Sequence, residues 1–257
     1  MTLRPRFPFG CHGAPLRGPL LAVVLACSVA ARGTHAADEP GVRYKLGLLE
    51  RGPAWTAERT PRTDSLQAGH MANIVRMAGM GVLAAAGPFA GRGELRGLFV
   101  WEPGTERVDT LLAPDPAIAS GRLVCRVYDW VAPPGLGKDY QRRRAAVAPG
   151  EAPPRDSMVT YGLVLLRRGE RYDSNPSVAV RKLITRHHAY TEKLRADGRL
   201  LFAGAIEGTG ELRGVLVMKG DSATVARAMA ADPAVRARRF TPQVLQWWNA
   251  WGTIPGH

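Results

Sequence analysis

Two histidines and two aspartates recur at equivalent places in the two halves of this sequence. His70 and His187 lie 117 positions apart, and the same interval separates Asp115 from Asp232. An imidazole titrates near neutral pH, so either histidine could serve as a general base. Each aspartate could orient a histidine or take a proton. The structural alternatives are a helix histidine that only forms a hydrogen bond, and an Asp-Pro pair that only starts a helix.

Two arginines and two aromatic residues could complete a substrate site. Arg96 and Arg213 each follow a tight connection and could bind an anionic substrate group. Trp55 and Tyr172 could line the mouth of a pocket. The alternatives are cross-strand ion pairs between each arginine and the glutamate two positions before it, and simple packing of the aromatic rings.

The sequence carries no recognisable cofactor or metal motif. The glycines of 91–97 lie between two predicted strands, with a spacing that differs from the dinucleotide-binding fingerprint. His187 and His188 are adjacent, so they do not present two ligands on one helical face. Neither a G-x-S-x-G elbow nor a C-x-x-C pair occurs. We therefore predict no cofactor and no metal site.

These recurring residues belong to a duplication of the chain. When 44–130 are aligned with 161–247 without a gap, 28 of 87 positions are identical. The pentapeptide GELRG at 93–97 returns 117 positions later, and Trp130 matches Trp247. Self-similarity at a fixed offset indicates that one structural unit occurs twice.

Hydrophobic patterning gives each unit the order β-α-β-β-α-β, which is a ferredoxin-like arrangement in the α+β class. An open sheet of this kind has one bare face, so we expect the two repeats to pack sheet to sheet. In the first repeat we expect a long helix capped by Asp64 or Ser65, a short helix at 105–113, and strands at 44–50, 82–89, 95–101 and 123–131. In the second we expect helices at 177–197 and 222–231, and strands at 161–166, 200–206, 212–218 and 240–247.

The first 36 residues have the features of an export signal. Three arginines without an acid precede the apolar run 19–31, and Thr34-His35-Ala36 offers a cleavage site. Residues 24–27 resemble a bacterial lipobox, so a lipid anchor at Cys27 is one alternative and a disordered N-terminus is another. We expect an exported protein, periplasmic or secreted, with no membrane-spanning segment.

Charge and cysteine content limit the partners and the cysteine chemistry that we expect of this protein. The formal net charge is +13, and removing 1–36 with their four arginines leaves 31 basic and 22 acidic residues, or +9. The arginines are scattered and no basic-aromatic RNA-binding motif is present, so we expect no nucleic-acid partner. Cys125 is the only cysteine after Cys27, and we expect it to be a buried structural thiol.

The ordered spacing of these features resembles the YCII-related (YciI-like) domain family. The pattern is carried by the first strand, the histidine at the front of the long helix, Gly87-Pro88-Phe89 on the second strand, and Asp115-Pro116 after the second helix. It covers both repeats, 174 of 257 residues. The resemblance implies that the two units pair as an intramolecular dimeric α+β barrel.

The resemblance also implies an enzymatic role centred on a histidine and an aspartate. Carried over to this chain, these residues are His70 with Asp115 in repeat 1 and His187 with Asp232 in repeat 2. Repeat 2 departs from the pattern, because 204–206 lack the proline and a second histidine follows the first. The departure raises the question of whether both repeats keep the same pocket.

The resulting hypothesis is an exported YciI-like protein that catalyses cofactor-independent acid–base chemistry, of lyase or hydrolase type, on an unidentified small molecule. One alternative is a non-catalytic module for small-molecule binding or self-association, and the sequence leaves a homo-oligomer open. Another is a monooxygenase-like barrel that handles haem or a quinol. The predicted division of the chain is a signal peptide at 1–36, repeat 1 at 44–131, a linker without a core at 132–157, repeat 2 at 158–248 and a tail at 249–257.

Overall fold

A computed structural model describes residues 41–148, 157–175 and 177–257. The predicted signal peptide, the lipobox and the middle of the linker lie outside these residues. Repeat 1 contains β1 (Val42–Arg51), α1 (Pro61–Gly79), β2 (Leu83–Pro88), β3 (Leu95–Trp101), α2 (Val108–Leu112), α3 (Pro116–Ala119) and β4 (Leu123–Ala132). After α4 (Lys138–Ala145), repeat 2 contains β5 (Met158–Arg168), α5 (Val178–Ala196), β6 (Leu200–Ile206), β7 (Leu212–Met218), α6 (Ser222–Ala230), α7 (Pro233–Arg236) and β8 (Phe240–Ala250).

The strands form one antiparallel sheet of eight strands in the order β2-β3-β1-β4-β6-β7-β5-β8. Its two repeats meet at the β4–β6 seam, where Trp130 pairs with Ile206. Phe89, at the end of β2, pairs with Trp247 of β8, at the positions equivalent by the 117-residue offset. This second contact between the repeats curves the sheet into a nearly closed barrel. The predicted α+β class is thus confirmed, with the two repeats joined edge to edge as well as facing each other inside.

Alternation along the strands places one set of side chains inside the barrel and the other under the helices. On β1, Leu46 and Leu48 belong to the buried interior, whereas Leu49 packs with residues of α1 and α2. The interior cluster includes equivalent residues of both repeats, such as Leu46 and Leu163. A single core therefore stabilises the two repeats together.

The long helix of repeat 1 begins earlier than the sequence indicated. The predicted caps, Asp64 and Ser65, lie inside α1, and the N-cap is Thr60. The Thr60 side chain accepts from the Thr63 backbone N–H while Thr63 Oγ1 accepts from the Thr60 N–H, and Pro61 occupies the first turn. This reciprocal cap satisfies free amides of the first turn, which is why the helix starts there.

The linker is more ordered than predicted, because part of it forms α4. Leu136 is buried in the barrel core, and Glu102 binds both Gln141 (2.6 Å) and Lys138 (2.8 Å). At Gly137, with φ of 77°, an added Cβ would lie 2.2 Å from the Ala84 carbonyl oxygen. This close approach fixes α4 beside the edge of β2.

The C-terminal tail is held by an aliphatic residue, while the aromatic residues around it stay partly exposed. Trp248 and Trp251 are about half exposed, at 49% and 48%, whereas Ile254 is completely buried. The guanidinium of Arg143 lies 4.2 Å from the centre of the Trp251 ring. The aliphatic residue therefore anchors the tail. Within the described part of the chain, no helix has the length and apolar character needed to cross a bilayer.

Candidate active site

The structure brings His70 and Asp115 into direct contact. His70 lies on the buried side of α1, and its Nδ1 is 2.7 Å from Oδ2 of Asp115. The close approach of α1 to α3 depends on Gly69, because a Cβ there would lie 2.3 Å from Pro116 Cγ. The His70 ring also stacks on Phe99, with centroids 5.8 Å apart. Helix packing and one hydrogen bond thus fix the imidazole.

Asp115 makes both of the contacts that the sequence suggested, one with His70 and one with a helix N-terminus. Its Oδ1 accepts the backbone N–H groups of Ala117 (3.0 Å) and Ile118 (3.3 Å) as the N-cap of α3, while Oδ2 binds His70. Burial acts to raise the pKa of this carboxyl, but the hydrogen bond and charge of His70, with the two backbone donors, lower the pKa overall. Asp115 is therefore ionised at neutral pH.

The ionised carboxylate selects the tautomer that the His70 ring adopts in its neutral form. A carboxylate can only accept, so Nδ1 carries the proton and Nε2 keeps its lone pair. Among the described residues, no group forms a hydrogen bond with Nε2. This nitrogen is therefore the one that can act on a ligand.

Repeat 2 contains the same pair. His187 Nδ1 is 2.7 Å from Asp232 Oδ2, and Asp232 Oδ1 accepts the Ala234 backbone N–H at 2.7 Å. The neighbouring His188 lies against His187, and burial, followed by the charge of His187, lowers the pKa of His188. The geometry of the pair is thus preserved in both copies.

A cavity of about 850 Å³ adjoins the pair of repeat 1. Its walls are α1, β2, α4 and the end of β8, and His70 lines it. Many lining side chains are apolar, and three of them, Met71, Val75 and Met158, remain exposed to solvent at 48%, 68% and 54%. The size and apolar lining are typical of a small-molecule site.

The cavity beside α5 is different. It has about 440 Å³ and is lined by His188 and Arg239 rather than by His187. Larger residues occupy positions that line the repeat 1 cavity, since Leu201 and Phe202 correspond to Ala84 and Ala85. Phe202 packs on Trp130 with centroids 5.5 Å apart. The two repeats therefore share the His–Asp pair but not the pocket.

The predicted substrate-binding residues are only partly gathered at this site. Trp55 and Arg96 line the repeat 1 cavity with His70, whereas Tyr172 and Arg213 do not line the cavity beside α5. The guanidinium of Arg96 lies 4.9 Å from the centre of the Trp55 ring, and that of Arg213 lies 5.7 Å from the Tyr172 ring. Each aromatic residue therefore packs against its arginine.

The expected ion pair of Arg96 with Glu94 does not form. Arg96 donates to the Gly91 carbonyl oxygen at 3.1 Å, because the hairpin turns its side chain back over 91–93. Glu94 instead pairs with Arg51 at 3.3 Å. Glu211 forms no ion pair with any of the described residues.

Sequence reasoning missed several residues at the site. Arg122 lines the cavity and lies 4.4 Å from the Trp55 ring, yet only its identity with Arg239 across the repeats could have drawn attention to it. Tyr140 and Gln141 of α4 carried no signal, since they lie in the linker and have no counterpart in the duplication.

The sequence matches no protein-family model and none of the curated proteins. Solved structures share its fold. One, provisionally described as a chlorite dismutase, has 14% identity and a TM-score of 0.50, covering 82% of this chain and 96% of its own. A heme-binding protein from Thermus thermophilus has 14% identity, 82% and 91% coverage and a TM-score of 0.44. A chlorite dismutase variant from Candidatus Nitrospira defluvii has 14% identity, 84% and 94% coverage and a TM-score of 0.48.

Proposed function

We propose that the protein binds a small, largely apolar molecule in the cavity of repeat 1 and uses His70 as a general base on it. The observation that supports this proposal is the position of His70, whose Nδ1 is held by buried Asp115 while the ring lines a cavity of about 850 Å³. The neutral Nε2 would take a proton from the ligand, and the adjacent carboxylate would stabilise the imidazolium that results. This is the lyase or hydrolase chemistry suggested by the resemblance to YCII-related domains.

In this proposal each chain has one active site. The pair His187–Asp232 keeps the same 2.7 Å contact, but the cavity beside α5 is lined by His188 instead. We assign the second pair a structural role, in which Asp232 caps α7 and connects it to α5. The equivalent pair is therefore the natural control for every experiment on the first.

A surrogate reaction tests the base without knowledge of the natural substrate. 5-Nitrobenzisoxazole is a small apolar aromatic molecule; a base removes its ring C–H proton, the N–O bond breaks, and a coloured cyanonitrophenolate forms. We expect turnover by the wild type to fall about 100-fold or more in His70→Ala and to persist in His187→Ala. Wild-type turnover at the buffer rate, or equal turnover in His70→Ala and the wild type, would disprove the base.

A second candidate function is haem binding, favoured by the same histidine. A metal-ligating histidine usually donates its other ring N–H to a carboxylate, and His70 has such a partner in Asp115. His70 Nε2 would hold the haem iron, and bound haem would supply redox chemistry. Titration with hemin decides between the candidates: a Soret band that the wild type and His187→Ala develop and His70→Ala does not would support haem binding. A spectrum of free hemin in all three would reject it.

A further inference from the structure

A cluster of positive charge borders the repeat 1 cavity. The guanidinium groups of Arg51, Arg96 and Arg122 lie 5.3, 4.9 and 4.4 Å from the centre of the Trp55 ring. Trp55, Arg96 and Arg122 all line the cavity, as His70 does. One aromatic side chain thus gathers three like charges beside the candidate active site.

This cluster contains more cationic donors than acceptors. Glu94 pairs with Arg51 and is 77% exposed, but neither Arg96 nor Arg122 forms an ion pair among the described residues. The Trp55 indole N–H and Nε of Arg51 are buried and have no acceptor in the described part of the chain. Burial, followed by the charges of Arg51 and Arg122, lowers the pKa of Arg96. Like charges and unpaired buried donors raise the free energy of the cluster unless an anion joins it.

We propose that Arg96 and Arg122, with Trp55, bind the oxyanion group of a ligand whose apolar body fills the repeat 1 cavity. The proposal rests on the proposed function, in which that cavity binds a small molecule, and it adds the chemical class of the ligand. A carboxylate, a phosphate or a sulfate would satisfy the same donors, because the arginine fork binds all three. The ligand would be an aromatic or aliphatic acid, or a phosphate or sulfate ester.

A purely structural role for the arginines is the competing explanation. Arg122 donates to the hydroxyl (3.0 Å) and to the carbonyl oxygen (2.9 Å) of Thr56, which holds the loop that carries Trp55. Repeat 2 gathers three arginines around Tyr172 in the same way. Arg96 donates only to backbone oxygens of its own hairpin, so removing its charge leaves the loop bonds of Arg122 in place. Arg96 is therefore the residue to change.

The experiment compares two ligands of the same shape on the full chain. Naphthalene-2-carboxylate and the uncharged 2-naphthalenemethanol are titrated into the wild type by calorimetry at low salt. We expect the carboxylate to bind about tenfold more tightly or better, since a charge-assisted hydrogen bond contributes at least that factor. Arg96→Gln should abolish this preference, and Arg96→Lys should keep part of it. Arg213→Gln, which removes the equivalent charge away from the cavity, should leave the preference intact.

Two further measurements separate this proposal from the catalytic one. His70→Gln should bind the carboxylate with an affinity within a few-fold of that of the wild type. The anion site can therefore be present even if His70 is not a general base. Sodium sulfate and sodium phosphate, which need no apolar cavity, should raise the Tm of the wild type more than that of Arg96→Gln, and their ranking identifies the preferred oxyanion. Equal affinity for the two naphthalene ligands, or a preference that survives in Arg96→Gln, overturns the proposal. If neither naphthalene ligand binds and the salts stabilise both proteins equally, the proposal is also wrong.

Discussion

The carboxylate of Asp115 divides its two oxygens between His70 and a helix N-terminus. Oδ2 lies 2.7 Å from Nδ1 of His70, while Oδ1 receives the first backbone donors of α3. The cap fixes the carboxylate, and the carboxylate fixes the ring. The capping contact and the contact with His70 are therefore compatible, and the same side chain makes both.

Asp115→Asn separates these two roles. Asparagine is a good N-cap, so its oxygen should still receive the α3 amides. Its amide N–H would then face Nδ1, which favours the tautomer with the proton on Nε2 and removes the free base. We expect the surrogate reaction to fall about as far as in His70→Ala, and the free energy of unfolding to fall by roughly 1–3 kcal/mol. Denaturant unfolding and turnover measure the two effects.

Asp232→Asn is the matched control for that variant. It should lose a similar amount of stability and retain the turnover of the wild type, because its histidine does not line the cavity of repeat 1. If Asp115→Asn keeps full turnover, Asp115 does not set the tautomer of a catalytic base.

The pH dependence of stability should report the pKa of Asp115. Since folding lowers this pKa, the ionised carboxylate stabilises the native state above the unfolded value of about 3.9. This contribution is lost as the pH falls from there through the lower pKa of the folded state. We expect the stability gap between the wild type and Asp115→Asn to begin to close as the pH falls below about 4. A gap that stays constant as the pH falls through this range would contradict the depressed pKa.

Cys125 should be unreactive in the folded protein. Burial, with smaller effects of Asp115 and Glu50, raises the pKa of this thiol to about 12. An ordinary cysteine has a pKa of about 8.5, so at pH 8 the folded protein should carry on the order of a thousandfold less thiolate here than an unfolded chain. Iodoacetamide labelling, followed by peptide mass mapping to distinguish Cys125 from Cys11 and Cys27, measures this. Equal labelling rates in native and unfolded protein would show that the thiol is accessible and ionised.

The sequence predicted most of the repeated elements, but it missed one helix start and the segments outside the duplication. Strands 95–101, 200–206 and 212–218 agree with the structure to the residue, because each is a short apolar run with glycines or charges at its ends. The predicted start of α1 was wrong because the start signal in the polar loop, Thr60 followed by Pro61 at the first helical position, was passed over. The cavity depends on α4 and on the tail, which lie outside the duplication, so no comparison of the repeats could indicate it.

The difference in pocket size between the repeats can be tested by exchanging one residue. Ala85 lines the repeat 1 cavity, and Phe202 takes its place in repeat 2 beside Trp130. Ala85→Phe should place a ring next to Trp247, occupy part of the cavity and weaken binding of naphthalene-2-carboxylate while the barrel stays folded. Phe202→Ala removes a side chain that is only 3% exposed and should cost about 3–5 kcal/mol of unfolding free energy.

The two variants have opposite signatures, which makes the pair informative. Ala85→Phe should change ligand affinity more than stability, and Phe202→Ala should change stability more than affinity. Calorimetry measures the ligand affinity of each variant, and denaturant unfolding measures its stability. Undiminished ligand binding in a folded Ala85→Phe protein would mean that the ligand does not occupy the part of the cavity beside Ala85.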